Sequence, residues 1–158
     1  MFGLAQRLRL AKGGTFIPVA DIEGWNSRKT TLVINDMQYQ FMISDAVIEA
    51  ALGQIRLAKQ FGWSCVVVEN NGSGSTMSVI TDLLDELQVP YTRVTKYGFD
   101  GGMNIIWTCK DKGYPTEVVR FVGAYTEFCV RAGASTVATE SSGSSVVLVD
   151  EACEPCTK

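Results

Sequence analysis

Residues 117–140 read EVVRFVGAYTEFCVRAGASTVATE. The first nine, EVVRFVGAY, are rich in β-branched and aromatic side chains and read as a strand. Residues 128–140 form a helix-like run of small residues. A strand that runs almost directly into a helix is half of a β-α-β unit. Cys129 stands where the one ends and the other begins, just past Gly123 and beside polar Thr126 and Glu127. Most buried cysteines only fill core space. A thiol at a strand-to-helix junction is instead in a place where it can be used.

The same alternation extends along the chain. TTLVIND (30–36) is a continuous apolar run, the pattern of a buried parallel strand. The spacing of Ile48, Ala51, Leu52, Ile55 and Ala58 predicts a helix over 44–62, capped by Ser44 and ended by Gly62. SCVVVEN (64–70) is a second strand, and NNGSGST (70–76) a turn. MSVITDLLDEL (77–87) is an amphipathic helix that Pro90 prevents from continuing. YTRVTKY (91–97) alternates like a strand, and residues 102–113 form a helix ending at Gly113. SSVVLVDEA (144–152) is the last strand. Residues 1–29 read as an N-terminal arm with a short helix. Five alternations predict one α/β domain over residues 1–158. Its architecture is three-layer α/β/α around a mostly parallel sheet of about five or six strands.

Composition narrows the function classes. The chain has 158 residues, 46% apolar and 20% charged, with a net charge of −3. That composition is that of a globular domain and not of a disordered chain. No basic stripe is present, which argues against nucleic acid as a partner. No stretch of about 18 apolar residues is present, so no membrane span is expected. MFGLAQRLRLAKGG (1–14) lacks the continuous apolar core of a secretory signal. Five cysteines in no disulfide-framework spacing favour a reducing, cytoplasmic location. Histidine is absent, which removes Ser-His and Cys-His catalysis and histidine metal sites. No metal and no cofactor are expected.

Ligands of open parallel sheets bind at the carboxyl ends of the strands. Those ends carry Asp36, then Glu69 and Asn70, then Lys96, then Tyr125 to Cys129, then Asp150. A thiol attacks as its thiolate, which a nearby cation or a helix N-terminus stabilises. Cys129 is thus a candidate nucleophile, Asp36 its proton acceptor and Lys96 its electrostatic partner. The amides of Tyr125 and Cys129 are candidate oxyanion donors. Taken singly, Asp36 is an ordinary turn residue, Lys96 a solvated charge and Cys129 an inert thiol. Only their shared place on three strand ends of one sheet raises them together.

Four segments resemble the isochorismatase-like cysteine hydrolases. LVINDMQYQF (32–41) is similar to that family's first-strand signature. VTKYGFDGG (94–102) resembles its lysine segment, and VGAYTEFCVRAGASTVA (122–138) its nucleophile segment. SSVVLVDEAC (144–153) resembles its last strand. The order is the family's, and the likeness runs from about residue 17 to 153. The resemblance implies a Cys129–Asp36–Lys96 triad and a cis peptide between Ala124 and Tyr125 that aims two N–H groups at one point. It implies hydrolysis of an amide or carbamoyl C–N bond of a small molecule through a thioester, and a homo-oligomer. Phe41 holds a position that commonly faces the substrate in that family. Gln40, Asn70, Phe99 and Phe128 complete the candidate substrate pocket.

Two other classes stand beside this one. The first is a catalytically reduced member of the fold that binds a small metabolite or serves as an assembly module. The second is an unrelated nucleotide or redox module, for which no phosphate-binding motif is present. CEPC (153–156) has the spacing of a redox or metal motif but lies in a tail, with no second pair to complete a zinc site.

Overall fold

A computed structural model describes residues 6–156. Its strands are β1 (Leu8–Leu10), β2 (Thr30–Asn35), β3 (Ser64–Asn70), β4 (Tyr91–Lys96), β5 (Val118–Ala124) and β6 (Ser145–Glu154). They form one sheet in the order β1-β6-β5-β2-β3-β4. All neighbours are parallel except the β1–β6 pair. Its helices are α1 (Ile22–Asn26), α2 (Asp45–Phe61), α3 (Ser78–Glu86), α4 (Gly102–Lys112) and α5 (Arg131–Glu140).

Successive residues of a strand face opposite sides of its sheet. Leu32 and Ile34 therefore enter one core, with Ala51, Leu52 and Ile55 of α2 and Ile80 and Leu84 of α3. Val33 enters the other, with Ile105 of α4 and Ala134 and Val137 of α5. All six residues of β2 are buried, and the three at its centre, Leu32, Val33 and Ile34, are an uninterrupted apolar run. Each such side chain contributes about 1.5–3 kcal/mol on leaving water. The predicted ends of α2 are present. The Ser44 hydroxyl accepts from the Val47 amide at 3.4 Å, and Gly62 closes the helix in the left-handed conformation. Gly113 closes α4 in the same way.

Of the arm expected over residues 1–29, residues 1–5 lie outside the described residues, and the remainder contributes a strand to the sheet. Leu8–Leu10 pairs antiparallel with β6 at its edge, and Ile22–Asn26 is helical. Three residues are too few to show a strand's alternation. A second expectation also changes. Asp150 does not end the last strand at the ligand edge: β6 runs on to Glu154 past a register shift opposite Phe121–Gly123. Asp150 instead pairs with Arg9 at 3.2 Å and Arg7 at 3.7 Å. Buried Glu154 takes its place at the strand end and accepts a hydrogen bond from the Ser44 amide.

From β2 the chain moves outward through β3 to β4, then returns to lay β5 on the other side of β2. The crevice between β2 and β5 is thus the point where strand order reverses, the usual ligand site of an open α/β sheet. At that point β5 approaches β2 more closely than a side chain allows. Gly123 has φ of 126°, and a Cβ there would stand 2.0 Å from the Asn35 carbonyl oxygen. Gly123→Ala is expected to cost at least about 3 kcal/mol in urea unfolding, since clash and backbone strain act together. Gly24→Ala in α1 adds a Cβ with nothing within 4 Å. It is expected to change stability by no more than about 0.5 kcal/mol.

Candidate active site

β2 ends at Asn35 because the next residue leaves the extended conformation. Asp36 has φ of 57°, a left-handed conformation uncommon outside glycine, and it is 1% exposed. Its amide still donates to the Val68 carbonyl at 2.9 Å, so the backbone stays fixed to β3 while the side chain turns toward the crevice. Lys96 ends β4 and is fully buried. Its ammonium has three N–H donors, and three groups surround it. The Gly98 carbonyl is 2.7 Å away, Asp36 Oδ2 3.1 Å and Cys129 Sγ 3.3 Å. The lysine stem runs beside Gly101, where a Cβ would come within 2.9 Å of Lys96 Cδ.

Cys129 belongs to the turn after β5. The helix expected over 128–140 begins earlier, with a π-helical turn over Thr126–Val130 that passes into α5. In an α-helix the Tyr125 carbonyl would take the Cys129 amide. Here it takes those of Phe128, at 3.1 Å, and Val130, at 3.2 Å, and skips Cys129. Single π turns of this kind are frequent at functional sites. The Ala124–Tyr125 peptide is cis. Asn35 Nδ2 donates to the carbonyl of that peptide at 3.2 Å.

The electrostatics differ from the sequence expectation of a thiol lowered by its cation. Burial pushes the Cys129 thiol up to about 11; the hydrogen bond and negative charge of Asp36 add to that, against Lys96. Burial also raises Asp36, and Lys96 and Cys129 oppose the rise. The contact between Asp36 Oδ2 and the Lys96 ammonium is an ion pair. Burial thus favours the neutral form of both groups, with the Lys96 ammonium beside them.

Above Cys129 lies a cavity of about 550 Å³. Phe41, Asn70, Tyr125 and Phe128 line it, as does Phe99. Two aromatic pairs form its walls. The Phe41 and Tyr125 rings meet edge to face at 5.7 Å, and the Phe99 and Phe128 rings stack at 5.9 Å. Phe99 and Phe128 are 67% and 46% exposed, so they are cavity wall and not core filling. Gln40 is exposed and does not line the cavity. Its neighbour Gln38, fully buried, organises the rim instead. It donates to the carbonyls of Asn70 at 3.1 Å and Gly74 at 2.6 Å and accepts from the Asn70 amide at 2.8 Å. Sequence reasoning also missed Asn71, Tyr97, Gly98 and Cys156 among the lining residues. Tyr97 and Gly98 adjoin Lys96, so their neighbour was a usable signal. Cys156 carried none, because nothing local places a tail over a distant helix turn.

Several solved structures share this architecture. A ribonuclease from Caenorhabditis elegans superposes with a TM-score of 0.68 at 19% identity, over 82% of this chain and 67% of its own. A nicotinamidase from Bacillus subtilis gives 0.67 at 11%, over 81% and 87%. An N-carbamoylsarcosine amidase from Thermoplasma acidophilum gives 0.63 at 15%, over 83% and 87%. The fold is that of the isochorismatase-like hydrolases. No family model and no curated protein matches the chain by sequence. In this isochorismatase-like fold the crevice between β2 and β5 is occupied by Asp36 and Cys129, with Lys96 reaching in from β4.

The thiol provides a direct check on these electrostatics. Alkylation of Cys129 against pH, followed by peptide mass spectrometry, is expected to titrate near about pH 11. Asp36→Asn removes a negative neighbour that favours the protonated thiol and leaves Lys96 in place. Its midpoint is therefore expected at lower pH, and that of Lys96→Met at higher pH. An unchanged midpoint in Asp36→Asn would contradict the contact between the two groups.

Proposed function

We propose that this chain is a cysteine hydrolase that cleaves an amide or carbamoyl-type C–N bond of a small neutral molecule. The observation that carries the proposal is the ammonium of Lys96, 3.1 Å from Asp36 Oδ2 and 3.3 Å from Cys129 Sγ. In the proposed cycle Asp36 takes the thiol proton as Sγ attacks the carbonyl carbon. Lys96 balances the negative charge that moves from carboxylate to sulfur. The amides of Tyr125 and Cys129 receive the tetrahedral oxyanion, each such donor being worth about 2.7–4 kcal/mol in the transition state. Asp36 returns the proton to the departing nitrogen as the C–N bond breaks. Water, deprotonated by Asp36, then attacks the thioester carbon; the carbon–sulfur bond breaks, and Asp36 passes that proton to the departing sulfur to restore the thiol.

The cavity supports a neutral, flat or apolar substrate. Aromatic rings dominate its lining, which among the described residues includes no lysine or arginine. That lining, with a net charge of −3, also speaks for a small molecule over the RNA that the name of the similar ribonuclease would suggest. Among the described residues no helix is long and apolar enough to cross a membrane. Self-association into a homo-oligomer belongs to the same proposal, and sedimentation equilibrium is its test.

A second reading has one observation in its favour. Burial and the neighbouring Asp36 favour the protonated thiol of Cys129, as they would in a protein that binds its ligand without turnover. A screen of neutral aromatic amides and ureas for ammonia release separates the two. A turned-over amide is expected to lose at least about 100-fold in kcat in Asp36→Asn and in Cys129→Ser, with the fold retained by circular dichroism. Wild-type turnover in either variant would defeat the triad assignment. Compounds that bind in the cavity with no turnover of any of them would favour the binding protein.

A further inference from the structure

All five cysteines are free, and two of them, Cys129 and Cys156, line the same cavity. Cys65 and Cys109 are buried in opposite cores. Cys153, the partner of Cys156 in the C-E-P-C motif, is 4% exposed and packs in a core with its thiol directed to the Phe121 carbonyl at 3.6 Å. The motif is therefore split. One thiol is core and the other faces the cavity, so a bond between them would require Cys153 to leave the interior.

Cys156 is instead tied to the turn that carries Cys129. Its amide donates to Glu127 Oε2 at 2.7 Å, and Glu127 is two positions from Cys129 in the same π-helical turn. Pro155 and Cys156 follow the last residue of β6, outside the sheet ladder. A disulfide needs Cα atoms about 4.4–6.8 Å apart. A segment free of the ladder can make that adjustment, whereas a strand residue such as Cys153 cannot.

We propose that Cys156 is a redox latch: oxidation by hydrogen peroxide joins it to Cys129 through a disulfide that closes the cavity and removes the candidate nucleophile. Cys156 ionises and its sulfur attacks one peroxide oxygen; the O–O bond breaks, the departing hydroxide takes up the proton the thiol released and becomes water, and a sulfenic acid remains on Cys156. Cys129 then gives its proton to Asp36, and its sulfur attacks the Cys156 sulfur. The S–O bond breaks, and the departing hydroxide takes the proton from Asp36 as water. The two thiols lose two electrons, and the peroxide is reduced to two waters. A dithiol reverses the bond by exchange. The loss of turnover rests on Cys129 being the nucleophile; formation of the disulfide does not.

The test uses the full chain, as wild type and as Cys156→Ser. Each is treated with hydrogen peroxide, quenched with iodoacetamide and resolved on a non-reducing gel, and the monomer band is digested for mass spectrometry. The expected result is a peptide pair joined through Cys129 and Cys156, absent from Cys156→Ser. Dithiothreitol is expected to remove it and return Cys129 to the alkylatable form. A Cys153–Cys156 bond, a link only between chains, or an over-oxidised Cys156 beside a free Cys129 would overturn the latch. If the bond forms while no amide is ever turned over, the latch stands and the hydrolase reading fails. If amides are turned over and the bond does not form, the reverse holds.

Discussion

One buried ammonium organises the site. Lys96 is fully buried, and its three N–H donors meet the Gly98 carbonyl, the Asp36 carboxylate and the Cys129 sulfur. Burying an ion pair is expensive, and pairs of this kind are often no better for stability than apolar groups of equal volume. Folding alone gives little reason to keep a lysine there. In the proposed cycle its value is electrostatic: it is a positive charge beside both Cys129, which gives up a proton, and Asp36, which takes it.

The sheet explains why that charge is a lysine. Adjacent strands lie about 4.7–4.9 Å apart. β4 is two positions from β2, with β3 between them. A side chain from the end of β4 must therefore cross β3 to reach Asp36, and the four-carbon stem does so alongside Gly101 and Val68. Asp36 and Cys129 need no such reach, because β2 and β5 are neighbours. The reversal of strand order supplies the crevice, and the closeness of the two strands at Gly123 and Asn35 fixes how the Cys129 turn enters it.

Burial and reactivity oppose each other at Cys129. Burial favours the neutral thiol, and the neighbouring carboxyl group reinforces that preference. Asp36, itself raised by burial, is a better proton acceptor than a solvated carboxylate would be. In the proposed cycle such a site is quiet at rest and moves its proton only once substrate is bound. A quiet nucleophile beside an exposed second thiol is the arrangement that the Cys129–Cys156 latch exploits.

The sequence by itself determined the alternation of strands and helices, the buried character of β2, and the caps at Ser44, Gly62 and Gly113. These are local signals, set by side-chain periodicity and by what single residues permit of the backbone. It also pointed to Asp36, Lys96 and Cys129, because each follows a strand that the pattern makes visible. Tertiary structure alone decided the rest. Leu8–Leu10 becomes a strand only because β6 offers it an edge. Asp150 turns away because Arg7 and Arg9 arrive there from the other end of the chain. The rim belongs to Gln38 and not to Gln40, because only the side chain that turns inward can reach Asn70 and Gly74. The height of the Cys129 pKa and the place of Cys156 depend on burial and on contacts between residues far apart in the chain. No local pattern encodes such contacts, since they exist only once the sheet has brought its strand ends together.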